Sequence, residues 1–527
     1  MKPKSIIIFT LTMLLISCAN EITSKEMSTS IPGSVPTSSL AITYPPTATS
    51  VPTATDSPEQ RIVVREDEFF NAHNGENFVP RGVNHIEITS NGDCALAVGQ
   101  YDSAKINAVF EELASYGYNT VRMFLDTCKD PVRGLGSGSG GLNPNVLDNI
   151  VDLMRSAKEH GIYLLLTSND LPGNGGYWES NDEGFVEGVF GYYRNTHYLT
   201  TAGVRSATEY WDDLMSGLEQ RNAPFDVLLG WQLLNEQWYF NNEPPFSLTE
   251  GTVTTANGQN YDMSDIEQKR AMANDGIIYW TEQVSQVIHN YDPSALITMG
   301  FFDTGDSLLN PDTDFRYNDV SAMLKSAPLD FIDFHAYPGG NLSVAQTADN
   351  IGLADYQTKP VILGEFGAFR ETYAEIKTGA FLSAAWMEGA CQTGFDGWLY
   401  WVYGKVNAGA PDDPWGFIES DGLIMETLAP LNAPDPCNFP LASAGPFNLA
   451  YGASVTASRE GEVDEEGTYY PPQNAVDFSL TTWWSAGEGA VQWIEIDLGA
   501  PATIERFKLT NQYGGSGLHV NNLWGKG

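Results

Sequence analysis

The chain has 527 residues, 42% of them apolar and 12% aromatic, which is more than one ordinary core can use and predicts two or more domains. With 67 acidic and 27 basic residues it carries a formal charge of −40, which argues against nucleic acid as a partner, because phosphate binding needs a basic footprint. That charge fits solubility outside the cell and says little about fold.

Lys2 and Lys4 precede an apolar run over residues 6–16, and Cys18 follows it closely. A charged start and an apolar run too short to span a bilayer make an export signal, expected over residues 1–18. Leu15-Ile16-Ser17-Cys18 resembles a bacterial lipobox. The resemblance implies cleavage before Cys18 and acylation of that residue; the alternative is an ordinary signal cut a few residues later. The protein is therefore expected to be exported, with the membrane or cell surface as a partner through a lipid anchor, or else secreted. From residue 28 to 58, 20 of 31 residues are Ser, Thr or Pro. Such a stretch buries too little apolar area to offset its ordering entropy, so residues 19–60 are expected to form an extended linker.

Between residues 61 and 434 short apolar runs alternate with longer amphipathic stretches, the signature of repeated βα units. Strands are expected at 81–85, 120–125, 163–167, 228–233, 296–300, 331–334, 361–363 and 397–401. Helices between them include 103–116, 144–160, 204–221 and 265–291. In the second of these, Asn143 can cap the start and Pro144 suits the first turn. Val146, Ile150, Leu153 and Met154 share one face, and Gly161 ends the helix. Eight such units fit an α/β fold of the (β/α)8 TIM-barrel class with long loops. Apart from Cys18, the cysteines are Cys94, Cys128, Cys391 and Cys437. An even number in an oxidising compartment predicts two disulfides, with three possible connectivities. Cys94 follows the first strand and Cys128 the second, on the same rim of neighbouring units. The pairing Cys94–Cys128 is therefore expected, leaving Cys391–Cys437. No cysteine or histidine spacing suggests zinc.

After the Pro-rich bridge at 430–446 helical periodicity disappears. Short β-like runs at 453–457, 493–498 and 507–510, separated by Gly, Pro and Asn, predict a small all-β module at 447–527.

In a (β/α)8 barrel, function collects at the C-terminal ends of the strands. The apolar run at 228–234 ends in Asn235-Glu236, and the run at 360–364 ends in Glu365. Asn-Glu also occurs at Asn20 and Asn242, but only the pair at Asn235 follows a strand-like run. Two carboxylates on one rim can converge on one bond, as glycoside hydrolysis requires: one group delivers a proton to the leaving oxygen, and the other attacks the oxocarbenium-like centre.

Six segments in order then resemble a clan A glycoside hydrolase, most closely family 5, the cellulase and mannanase family. They are Phe78-Val79-Pro80-Arg81-Gly82-Val83-Asn84, Asn119-Thr120-Val121-Arg122, Asn235-Glu236, Asp333-Phe334-His335-Ala336-Tyr337, Glu365 and Trp401. The resemblance implies a retaining hydrolase of a β-linked polysaccharide, glucan or mannan in type, with Glu236 as acid/base and Glu365 as nucleophile. It needs no cofactor and no metal in the barrel for catalysis. Asn235 would bond the sugar 2-hydroxyl, Arg122 would aim Glu365, and Tyr337 would hold its second oxygen. His335 belongs to the same site, and Trp401 offers a flat face to a sugar ring. Glu236 must stay protonated until bond cleavage, which calls for a raised pKa. Ser168-Asn169-Asp170 stands where family members often carry a histidine. Trp178, Trp211, Trp231, Trp238, Tyr239 and Trp415 are candidates for subsites or else for core packing and loop anchoring, with Trp238 and Tyr239 favoured as subsites by their nearness to Glu236. His85, at the first rim position, is a candidate substrate contact or structural residue. A transglycosylase using the same glutamates, or an inactive sugar-binding surface lipoprotein, are the competing readings.

Asn474-Ala475-Val476-Asp477, Trp484-Ser485 and the run from Gln492 to Gly499 resemble an F5/8 type C, discoidin-like, domain. That implies a sugar-binding β-sandwich, here expected to be truncated, with a structural calcium near Asp477.

Overall fold

In the computed structural model eight parallel strands form one closed barrel. They are β1 (Arg81–Asn84), β2 (Thr120–Phe124), β3 (Tyr163–Thr167), β4 (Leu228–Gln232), β5 (Ile297–Thr298 continued by Gly300–Phe301), β6 (Ile332–His335), β7 (Val361–Phe366) and β8 (Gly397–Tyr400). The first half of β5 pairs with β4 and the second half with β6, while β8 pairs with β1, so the ring closes. Every expected strand is present, and the one departure is the interruption of β5 at Met299. The described residues are 61–438 apart from 86–87, 90–91, 192, 306, 310–313, 327, 339–342, 357 and 405–412, with short stretches between 450 and 526. The signal segment with Cys18, the linker at 19–60 and Asp477 lie outside them.

Helices α1 (Ser103–Ser115), α2 (Pro144–His160), α3 (Thr201–Glu219) and α4 (Ile266–Tyr291) start and stop within three residues of their expected bounds. In α2 the Asn143 side chain accepts from the Asn145 N–H, and Gly161 takes the left-handed conformation at φ 68° that ends the helix. Val146, Ile150, Leu153 and Met154 are buried against the barrel as their spacing requires.

A hairpin that the strand count missed, Ile62–Arg65 with Glu68–Asn71, plugs the floor of the barrel. Ile62 and Phe69 pack with Leu165, Leu229, Ile362 and Leu399, at the N-terminal ends of the strands. The barrel is thus filled from below, leaving its other end for chemistry. Arg81 is buried and donates to the carbonyls of Leu428 (2.6 Å) and Ala433 (2.9 Å), tying the first strand to the last segment of the barrel domain.

Cys94–Cys128 and Cys391–Cys437 are the disulfides, with Cα separations of 4.7 and 4.9 Å. Cross-links spanning 34 and 46 residues each remove on the order of 4 kcal/mol of loop entropy from the unfolded chain. Among the described residues beyond 450 the structure is β apart from one short 3-10 turn, Pro472–Ala475. Ser454–Ala457 pairs antiparallel with Ile494–Asp497, and Thr503–Asn511 with Leu518–Lys526. Ala450 and Val476 are buried against Val455, Ile496 and Leu498.

Candidate active site

The C-terminal ends of β2, β4, β6 and β7 bring Arg122, Asn235, Glu236, His335 and Glu365 together. Arg122 is the hub. Its side chain has no exposed surface, and it donates to Glu365 Oε1 (2.6 Å), Asn84 Oδ1 (2.7 Å), Gln232 Oε1 (2.7 Å) and Asn235 Oδ1 (2.6 Å). Asp333 Oδ2 lies 3.5 Å from its Nε. Arginine suits this position because its fork of five donors cannot lose its proton.

Glu365 is held at both oxygens. Arg122 takes Oε1, and the Tyr337 hydroxyl donates to Oε2 at 2.6 Å. Burial and the adjacent Glu365 push the Tyr337 hydroxyl well above its ordinary range, so it stays a donor. A Cβ on Gly364 would sit 1.7 Å from Asp333 Oδ1, so any larger residue there would displace the Asp333 carboxylate. His335 Nδ1 lies 2.9 Å from Glu236 Oε1 and 3.6 Å from Glu365 Oε2. One oxygen of Glu236 and one of Glu365 lie within 4.8 Å of each other and of a His335 ring nitrogen. With Oδ1 held by Arg122, Asn235 offers its amide NH2 as a donor. Trp401, just after β8, is half-buried and edge-on to Phe124 at 6.1 Å, and Arg122 lies over the Phe124 ring at 4.7 Å.

Residues 454–522 match the F5/8 type C domain family. The chain is 22% identical across 321 residues to mannan endo-1,4-beta-mannosidase A of Podospora anserina, covering 57% of this chain and 73% of that one. It is 25% identical across 334 residues to the enzyme of the same name from Hypocrea jecorina, covering 58% of this chain and 64% of that one. The fold is similar to the crystal structure of an endo-1,4-beta-mannanase from Rhizomucor miehei, at 21% identity and a TM-score of 0.48, covering 70% of this chain and 97% of that one. The chain is a glycosidase. Its closed parallel barrel is similar to that of the mannan-cleaving relatives and is followed by an all-β segment that matches the F5/8 type C domain family.

Several expectations about the glycosidase need correction. Trp211 and Trp231 are 1% and 0% exposed, packed edge-to-face on each other within the core, so neither reaches a sugar. Tyr239 is also core: 1% exposed, it donates to the Ala273 carbonyl and packs on Tyr198 and Phe246. Strand alternation explains this, since Trp238 and Tyr239 must face opposite ways. Trp178 and Trp415 are half-buried and donate their indole N–H to the Leu171 and Tyr373 carbonyls, which anchors loops. His85 is 3% exposed, stacked on Tyr403 at 5.1 Å, and burial pulls its pKa down to about 4, which fits a neutral structural ring better than a substrate contact.

The expected raised pKa of Glu236 is not found. Burial raises it, but the hydrogen bond and charge of His335, with Arg122 and Arg316, outweigh burial and hold the carboxyl below its ordinary range. His335 is the reverse: burial opposes its charge, yet Glu365, Asp333 and Glu236 push it up to about 10. In the sugar-free enzyme the proton shared by the pair therefore rests on His335.

Sequence reasoning gave no roles to Asn84, Gln232 and Asp333, all fully buried beneath the glutamates. Gln232 joins Arg122 to Asp333, and Asp333 Oδ2 also lies 3.5 Å from His335 Nε2. Polar residues in otherwise apolar strands were the available signal.

Proton affinities set a pH dependence of stability. Burial pushes Asp126 and Asp396 up to about 7 and Asp170 up to about 6. Like His335, they hold protons more tightly folded than unfolded. The stability they contribute is therefore lost as pH rises, between about pH 4 and 7 for the carboxyls and about 6.5 and 10 for His335. His85 and His197, pulled down by burial to about 4 and 3, act oppositely and cost stability as pH falls below about 6.5. The carboxyls and His335 dominate above that point. The melting temperature should therefore be lower at about pH 8.5 than at about pH 6.5, and a rise over that interval would contradict the assigned protonation states.

Proposed function

We propose that this chain is a retaining β-glycosidase that cleaves a β-linked mannan by double displacement, with Glu365 as nucleophile and Glu236 as acid/base. The single observation that carries the mechanism is the approach of a Glu236 oxygen to a Glu365 oxygen within 4.8 Å. Retention uses carboxyl groups about 5–5.5 Å apart, whereas inversion needs about 6.5–9.5 Å to admit a water. Mannan is favoured over glucan because the relatives from Podospora anserina and Hypocrea jecorina are both mannan endo-1,4-beta-mannosidases.

The steps follow from the geometry. Glu365, aimed by Arg122 and Tyr337, attacks the anomeric carbon as the bond to the leaving oxygen breaks. Glu236 supplies the proton to that oxygen. A bound sugar excludes water from the Glu236–His335 pair and so favours its neutral form, returning the proton to the carboxyl. Glu236, now ionised, takes a proton from water as that water attacks the glycosyl-enzyme and releases Glu365. Asn235, donating to the 2-hydroxyl, strengthens its contact as charge develops on the ring. Tethering outside the cell through Cys18 and the linker at 19–60, with sugar capture by the C-terminal module, would hold the barrel near polymer.

Release of reducing ends from β-mannan, β-glucan and α-linked polysaccharides tests this reading. The highest rate should be on β-mannan. An intact protein that binds these polymers without cleaving any would leave the inactive sugar-binding reading standing instead.

A further inference from the structure

We infer that Trp238, Phe240 and Phe315 form an aromatic ridge that binds the sugar on the leaving-group side of the scissile bond. The inference rests on the assignment of Glu236 as acid/base, and it deepens that reading by naming a subsite.

The ridge is built from two loops. Tyr239–Phe240, after β4, pairs antiparallel with Arg316–Tyr317, after β5, placing Phe240 opposite Arg316. Side-chain alternation sends Tyr239 and Tyr317 into the core, each 1% exposed, and turns Phe240 and Arg316 outward. Trp238 lies edge-on to Phe240 at 4.5 Å and to Phe315 at 5.7 Å, and Phe240 and Phe315 stack at 6.0 Å with an interplanar angle of 19°. Phe315 is 48% exposed, and with the half-buried Trp238 and Phe240 against it the three rings make one contiguous apolar patch, the kind of surface that marks a binding site.

Its place says what covers it. Arg194 donates to the backbone carbonyl of Glu236 at 2.8 Å and lies over the Trp238 ring at 4.3 Å, locking the start of the ridge to the acid/base. Arg316 lies over Phe302 at 4.4 Å and over Phe315 at 5.8 Å, and its charge reaches Glu236. An acid/base stands beside the oxygen it protonates, and that oxygen belongs to the departing sugar. Apolar ring faces suit the C–H faces of a pyranose. Both arginines are already engaged, Arg316 bidentate with Asp314 and Arg194 near Asp170, so the ridge reads a neutral sugar and not an anionic one.

The test compares mannohexaose, which fills both sides of the bond, with 4-nitrophenyl β-mannobioside, whose leaving group is not a sugar. For Phe315→Ala the ratio of kcat/KM on the hexaose to that on the aryl glycoside should fall about tenfold, as loss of one aromatic contact implies, and Phe315→Trp should restore it. An unchanged ratio would show that the ridge touches no sugar, and an equal fall on both substrates would reduce Phe315 to a loop support. A wrong assignment of Glu236 shows elsewhere: Glu236→Ala would then leave hexaose cleavage intact, and the inference would fall with it.

Discussion

Replacing Glu365 with alanine should lower turnover by about five orders of magnitude or more, because no other group can form the bond to the anomeric carbon. Glu236→Ala should respond differently. An aryl glycoside with a good leaving group needs little protonation, so its first step survives while the second slows for lack of a base. Added azide should then accelerate Glu236→Ala and yield a β-glycosyl azide from a β-linked substrate. For Glu365→Ala it should yield the opposite anomer or nothing. Identical behaviour of the two variants would overturn their division of labour.

The second large effect concerns Arg122. It is hydrogen-bonded to Glu365 and lies as near to Asp333 as His335 does, at 3.5 Å, and both carboxylates are buried. Arg122→Met would fill its space while leaving both carboxylates to share the single charge of His335, at a cost of about 3–5 kcal/mol. Loss of the donor that aims the nucleophile should also reduce kcat/KM on the order of a thousandfold. Denaturant unfolding and kinetics read the two effects separately. Wild-type stability in the variant would mean that the charges beneath the site are balanced in some other way.

The barrel was legible because each unit obeys local rules. Asn143, Pro144 and Gly161 punctuate α2, and all-apolar runs mark strands buried on both faces. The floor hairpin was missed because Ile62–Asn71 alternates too briefly to stand out beside a Ser/Thr/Pro-rich segment. The two glutamates were legible from position: each ends an apolar run on the rim. Their supports were harder to see, since Asn84, Gln232 and Asp333 matter only through partners that are distant in sequence. The alternation of Asp333 with His335 on β6 does put both on the inner face, and that could have been read. The proton balance could not. Glu236 is depressed by a histidine 99 residues away, a contact that only the closed ring creates. For the aromatics, composition said nothing about exposure: Trp211 and Trp231 fill the core, while Phe315, which attracted no notice, is exposed against Trp238.

Covalent trapping tests the central claim most directly. The wild-type enzyme would be incubated with a fluorinated mannoside whose activated leaving group departs readily and whose fluorine slows the second step, and then digested and weighed by mass spectrometry. One glycosyl unit should appear on the peptide that contains Glu365, and it should be absent from the Glu365→Ala variant. No adduct from an enzyme that still cleaves mannan, or an adduct on any other residue, would contradict the account.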